Sequence, residues 1–273
     1  MKLLGDCTRI NDAFSSLLEL VRGRAGQLYT CTQLMGTLSA CHSPVEPDGE
    51  RMMIDWQALW LTLQLGCWTA VIVFLLGLPL AYWLASGQSW LRTVCGLLLT
   101  SPMVLPPTVV GFYLLVVLGP RSPIGQWCEW SFGQTLPFTF PGLVTALVVT
   151  NLPYALRPFV AGFARVERQL VESAWCLGAS RWRTFWRITF PLAMPGIVSG
   201  LVLVFAHAVG EFGVVLMVGG NRPGITRTLS IAIYEDVQAL DYARAWYSSL
   251  VLLTVALVAL GVLSWAEQRL RKQ

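Results

Sequence analysis

The sequence predicts an all-α integral membrane protein, and three observations carry that prediction. Of its 273 residues 55% are hydrophobic and only 12% are charged, against roughly a quarter charged in ordinary soluble domains. No Asp, Glu, Lys or Arg occurs in 56–91, 93–120, 130–156, 188–210 or 245–266, and a helix needs only ~20 mostly apolar residues to cross a ~30 Å hydrocarbon core. The alternating ~10-residue segments of a membrane barrel are missing. Within lipid every backbone N–H and C=O must be paired inside its own segment, so the charge-free stretches should be helices. A mean hydropathy of +0.60 excludes a disordered chain and most water-soluble enzymes. The surplus of four positive charges is too thinly spread for a nucleic-acid-binding domain.

The chain opens on a polar tail, residues 1–52, with five basic and six acidic residues up to Arg51. Its most apolar stretch, Leu28 to Cys41, is short and interrupted by Thr30, Thr32, Gln33, Thr37 and Ser39, so it cannot span a bilayer. No apolar core of a signal peptide lies near Met1. Met52-Met53 leads straight into the first apolar run. A start codon set too far upstream, or a disordered tail, accounts for this region better than an extra domain, and no role is assigned to it.

Five spans follow within a membrane domain at 53–266, at about 59–85, 93–118, 141–161, 193–218 and 246–266. The loop at 162–191 carries Arg165, Arg168, Arg181, Arg183 and Arg187 against Glu167 and Glu172. The basic tail at 267–273 carries Arg269, Arg271 and Lys272 against Glu267, while loops 119–140 and 219–245 are balanced. Positive charge marks the cytoplasmic side. The expected topology therefore puts 162–191 and the C-terminus in the cytoplasm and the N-terminus outside, in a multi-pass protein of the cytoplasmic (inner) membrane.

In the 162–191 loop, Leu170, Val171, Ala174 and Leu177 fall at helical spacing. Gly178 suits the left-handed residue that ends a helix, Ser180 can cap a second one, and Pro191 marks the turn back toward the bilayer. By itself such a basic helix–turn–helix could simply rest on anionic headgroups. In the second span, Pro106 and Pro107 precede Thr108, with Pro102 one turn earlier. Prolines remove backbone donors and clash with the preceding turn, so this span must be broken or kinked. The break either packs against neighbouring helices or lines a water-filled path. Gly210-Glu211-Phe212-Gly213 holds the one acid deep in the fourth span, and such a carboxylate is a functional hypothesis by default. Because an ionised Glu211 would repel an anion, a structural or gating role is expected of it. Arg157, near the cytoplasmic end of the third span, either snorkels to the interface or favours a departing anion.

Seven cysteines form no CxxC and no metal-ligand spacing with His42 and His207, so inert thiols and no metal site are expected. Lys2 and Lys272 are the only lysines, so no phosphate-binding G-x-x-x-x-G-K-[ST] loop can be drawn. The chain is not expected to be an enzyme.

Glu172-Ser173-Ala174, then Gly178, Ile188 and Phe190-Pro191, resembles the EAA motif of binding-protein-dependent ABC importer permeases, with Ser173 for the usual second Ala and Phe190 for a usual Leu. The Pro106 and Glu211 stretches resemble the permease subunits of molybdate ABC importers. So does Asn221-Arg222-Pro223-Gly224 through Thr226-Arg227-Thr228-Leu229 to Ala232-Ile233-Tyr234. The Gly-Glu-Phe-Gly block is also similar to sulfate permeases. The resemblance covers about 53–266 and implies a type I ABC importer fold with a cytoplasmic coupling helix. Glu172, Ala174, Gly178, Arg181, Ile188 and Pro191 would meet the ATPase, while Pro106, Pro107, Thr108, Gly210, Glu211, Phe212 and Gly213 would shape the pore or gate. It further implies a homodimeric, alternating-access path for molybdate, or for sulfate, thiosulfate or tungstate. The implied partners are a cytoplasmic ATPase, an external molybdate-binding protein, a second copy of the chain and membrane lipids, with no nucleic acid. No cofactor is expected on this chain, ATP and Mg being used by the ATPase. An ion-coupled carrier, the rival outside the class, should show inverted repeats and coupling-ion ligands, and neither is seen.

Overall fold

The computed structural model describes residues 54–270 apart from Gln88, and every described element is a helix or a turn. The expectations for residues 1–52, and for 271–273 of the basic tail, lie outside the described residues.

Helix α1 (Trp56–Ala85) starts where Asp55 accepts a hydrogen bond from the Ala58 N–H at 2.9 Å. Leu61, Leu65, Thr69, Val73, Gly77 and Ala81 recur every fourth residue along its buried side, while Trp60, Trp68, Leu75 and Leu76 point outward. Exposed large apolar groups at this density would be an aggregation liability in water but suit contact with lipid tails.

The second apolar run is broken, as its prolines require. Helix α2 (Trp90–Thr100) passes through a short 3₁₀ turn at Ser101–Met103, and α3 (Pro107–Leu118) leaves at 107°. Pro106 and Pro107 stand at the start of α3, where the missing N–H costs no helical bond. A short helix α4 (Pro123–Phe132) follows, capped by Ser122 and closed by Gly133 at φ +69°. It was not anticipated, although Ser122-Pro123 and Gly133 are its start and stop signals.

Helix α5 (Phe140–Ala164) is the central element, packed against α1 and the later α8. Leu143, Leu147 and Phe159 are fully enclosed, with Val73, Ile197, Val204 and Val215 contributed by its neighbours. The loop after α5 forms α6 (Arg168–Cys176) and α7 (Arg181–Thr184), then a π turn at Phe185–Thr189 leading into α8 (Phe190–Gly210).

Here two expectations are corrected. Pro191 does not turn the chain, because Arg181–Gly210 runs as one 30-residue helix, about 45 Å long at 1.5 Å per residue. The preceding π turn absorbs the proline: the Phe190 N–H reaches back five residues to the Phe185 carbonyl, and the helix resumes with Pro191 in its first turn. The fourth run, in turn, is not one helix across 193–218. It stops at Gly210, Glu211 is extended at φ −70° and ψ 127°, and α9 (Gly213–Gly219) starts afresh.

Helix α10 (Leu229–Gln238) lies in the 219–245 loop, and α11 (Tyr242–Leu270) ends the described chain. Among the described residues four helices are long and apolar enough to cross a membrane, or five if the bent α2–α3 pair is one span. The last helix also takes in the first four residues of the expected basic tail.

Candidate functional site

The loop between α5 and α8 is built by local chemistry. Leu170 and Trp175 are exposed, and Ala174 is turned inward. The helix ends in a two-bond C-cap: the Ala179 N–H donates to the Ala174 carbonyl and the Gly178 N–H to the Trp175 carbonyl, each at 3.0 Å. Gly178 holds this turn at φ +81°, a region an L side chain rarely enters. Two residues on, Ser180 accepts from the Arg183 N–H at 3.3 Å and so starts α7. One glycine between two caps thus separates the two helices.

Glu172 is exposed and paired with Arg168 at 2.8 Å. The Arg181 guanidinium lies 5.9 Å from the Trp175 ring centre. Leu177 is 89% exposed and Trp182 72%, so the elbow presents large apolar side chains beside arginines. Of the residues assigned to partner contact, Ala174 is buried within this chain. Ile188 is half-buried in the π turn and Pro191 is exposed on α8.

Aromatic rings fasten the elbow to the bundle. Tyr82 at the end of α1 meets Phe163 of α5 at 5.5 Å and Phe185 of the π turn at 5.2 Å, both edge-on. Trp186 then packs on Phe185 and Phe190. A groove of about 360 Å³ runs beneath α6, lined by Tyr82, Gly87, Phe163, Val171, Trp175 and Thr189. Close above, α5 and α8 touch through glycine. A Cβ on Gly162 would lie 2.8 Å from the Ala193 carbonyl oxygen, and one on Gly196 2.7 Å from the Gly162 Cα.

At the other constellation the structure brings together what the sequence separates by a hundred residues. Gly213 abuts the proline break: a Cβ there would lie 3.0 Å from the Pro107 Cβ and 3.3 Å from the Thr108 nitrogen. Gly111 of α3 approaches the Val214 Cα and the Met217 side chain of α9 equally closely. Pro106 and Thr108 are otherwise exposed in the single chain, as is Gly210. Glu211 is 7% exposed and its Oε1 accepts from the Val214 N–H at 3.0 Å, while its carbonyl accepts from the Ser230 hydroxyl at 2.9 Å. The carboxylate therefore starts α9 and its backbone ties α10 down. Phe212 packs on Tyr234 of α10 at 5.0 Å.

Three polar residues beneath this region were not singled out as a group. Buried Asn151 donates to the Leu147 carbonyl at 2.9 Å, and its Oδ1 lies 3.1 Å from His207 Nδ1. The imidazole also lies 4.1 Å from the Tyr154 ring. The available signal was Asn151 itself, the one asparagine in the charge-free stretch 130–156.

The 219–245 loop is held by ions. Arg227 reaches Glu235 at 2.8 Å and Asp55 at 3.9 Å, joining this loop to the start of α1, and Asn221 donates to Glu235. Thr62 of α1 accepts from the Leu229 N–H at 2.9 Å, starting α10. Asp236 is 7% exposed, and burial raises its carboxyl above the ordinary range while Arg244, 4.0 Å away, pulls it back down. No group of His, Cys, Asp and Glu able to hold a metal occurs among the described residues.

A bundle of long apolar helices with a broken span and a basic, caps-and-glycine elbow defines a multi-pass membrane transport component rather than a catalytic subunit. Residues 77–272 match the family described as "Binding-protein-dependent transport system inner membrane component", and this chain belongs to that family. It is 44% identical over 211 residues to the molybdenum transport system permease protein ModB of Azotobacter vinelandii, covering 77% of this chain and 93% of that one. It is 36% identical over 213 residues to ModB of Escherichia coli strain K12, covering 77% and 91%. The fold is also that of solved ABC importers. A bacterial transporter involved in the import of alginate superposes at TM-score 0.63 with 20% identity, covering 100% of this chain and 99% of that one. The MetNI methionine transporter superposes at 0.61 with 16% identity, covering 78% and 94%.

Proposed function

We propose that this chain is the pore-forming permease of an ATP-driven molybdate importer. The observation that carries the reading is the 44% identity to the Azotobacter permease across 93% of that protein's length. A second reading, sulfate, is favoured by 36% identity over 159 residues to the probable sulfate permease protein cysT of Chlorokybus atmophyticus. That match covers only 58% of this chain and 55% of the relative, so molybdate is preferred.

In this reading two copies of the chain enclose the path, an external binding protein delivers the anion, and a separate cytoplasmic ATPase grips the elbow. The N-terminus lies outside and the C-terminus in the cytoplasm. Glu172, Gly178, Leu177, Arg181 and Trp182 meet the ATPase. Closure of the ATPase pair displaces the elbow. The Gly162–Gly196 crossing supports transmission of that displacement, since helices that touch backbone to backbone cannot slide independently. Tyr82 carries the same movement into α1 through its two aromatic contacts. The α3–α9 contact, where Gly213 meets Pro107, lies at the far end of this assembly and is assigned to the gate. Glu211 acts there as a cap rather than as a ligand for the anion.

The test is uptake of radiolabelled molybdate by membrane vesicles containing the whole complex. Saturable, ATP-dependent uptake that equimolar sulfate does not reduce supports molybdate. Equal competition by sulfate moves the assignment to the sulfate reading.

A further inference from the structure

A cleft of about 500 Å³ opens between the end of α1, helix α2 and helix α5, and two arginines line it, Arg92 and Arg157. No Asp or Glu contributes to its walls. Among the described residues neither guanidinium has a carboxylate within ion-pair distance. Arg92 is half-buried and held 5.5 Å from the Trp83 ring centre, which fixes its position without neutralising it. Arg157, exposed in the single chain, sits seven residues before the end of α5, about 10 Å along the axis at 1.5 Å per residue. A guanidinium stays charged at any physiological pH, and a charge near the end of a span is held where it is paired, reaches the interface or faces a wet cavity. Two forks on one cavity, with no acid to satisfy either, suit an oxyanion, whose oxygens accept paired N–H donors.

We propose that the Arg92–Arg157 cleft binds a tetrahedral oxyanion at the end of the bundle that carries the 165–191 elbow. The inference deepens the oxyanion-transport reading and rests on it for the choice of probe. Gly87 lines both this cleft and the groove beneath α6, so the anion and the elbow share a wall. Movement of α6 alters the cleft through the α1 terminus, and an occupied cleft resists that movement. The same chemistry is offered by a free dianion leaving the path and by a lipid phosphate entering from the bilayer.

The experiment uses the full chain, in complex with its ATPase, in nanodiscs of zwitterionic lipid, and measures equilibrium binding of radiolabelled molybdate with the external binding protein omitted. The expected result is one saturable site per chain, weakened ~10-fold or more in Arg92→Gln and in Arg157→Gln, with a smaller loss in Arg157→Lys, which keeps the charge but not the paired donors. Parallel nanodiscs containing phosphatidylglycerol separate the sources. Unchanged molybdate binding there identifies the free anion as the ligand. Loss of molybdate binding, together with arginine-dependent retention of phosphatidylglycerol through purification, identifies the lipid phosphate. Wild-type binding of both probes by the folded glutamine variants overturns the proposal. Molybdate uptake by a complex without saturable binding of either probe overturns the cleft and leaves the transport reading intact. Arginine-dependent binding by a complex that transports neither molybdate nor sulfate does the reverse.

Discussion

Gly162 and Gly196 meet where α5 crosses α8, so closely that a methyl group on Gly196 would lie 2.7 Å from the Gly162 Cα. These two helices enter and leave the 165–191 elbow. Their contact makes elbow and helix pair move together, because neither backbone can shift without displacing the other. Overpacking a fitted contact costs ~1–3 kcal/mol. Gly196→Ala is therefore expected to lower the Tm of the purified complex by several degrees and to cut transport per ATP hydrolysed, measured by parallel uptake and phosphate-release assays.

Gly178 presents the opposite case. A Cβ there meets nothing within 4 Å, yet φ is +81°. Gly178→Ala carries only the backbone penalty of the left-handed region, ~1–2 kcal/mol, because the added Cβ meets nothing. The complex should assemble, as read by size-exclusion chromatography, while uptake falls ~10-fold and ATP turnover persists. Normal uptake would contradict the role given to this turn.

Glu211 separates a charge from a cap. Glu211→Gln keeps an oxygen able to accept from the Val214 N–H, whereas Glu211→Ala removes it. Loss of such a cap costs ~0.5–2 kcal/mol. The Gln variant should retain uptake and Tm near wild type, and the Ala variant should lose both. Equal loss in the two would make the negative charge essential instead.

Asp236 gives a pH signature. Burial raises its carboxyl, Arg244 and Arg227 lower it, and Asp241 and Glu235 raise it further. A carboxyl whose folded value lies above its unfolded one, near 3.9, favours the folded state most when protonated. That contribution is complete below the unfolded value and is lost as pH rises through the folded one. Asp236→Asn removes the dependence. Its Tm relative to wild type should therefore be higher at pH 7 than at pH 4, as measured by differential scanning fluorimetry.

The apolar runs and the glycine elbow were legible because their chemistry is local. Charge-free length marks a span, and Ser180 and Gly178 announce their own caps. The bend at Pro106 and Pro107 could be read for the same reason. What could not be read depends on partners remote in the chain. Nothing near Gly162 shows that Gly196 is its neighbour, and nothing near Gly213 points to Pro107. Helix α8 runs past Pro191 after a π turn in which the Phe190 N–H reaches the Phe185 carbonyl, at a place where local rules assign a turn. The stop at Gly210 was hidden because Glu211 caps α9 across its own backbone, a role that hydropathy averages into one long run. The burial of Ala174 is likewise hidden from the sequence, because it depends on how α6 lies against the rest of the chain.

The central claim is that the 165–191 elbow is the handle gripped by a separate ATPase, and one cross-link tests it. Leu177 is 89% exposed at the tip, so Leu177→Cys, with the neighbouring Cys176 replaced by Ser, places a single reactive thiol there. In the assembled complex carrying engineered surface cysteines on the ATPase, a short bifunctional reagent should join the two chains in good yield, with the linkage shifting with nucleotide, and should arrest uptake. Absence of any such product, with uptake continuing in membranes stripped of the ATPase, would contradict the account.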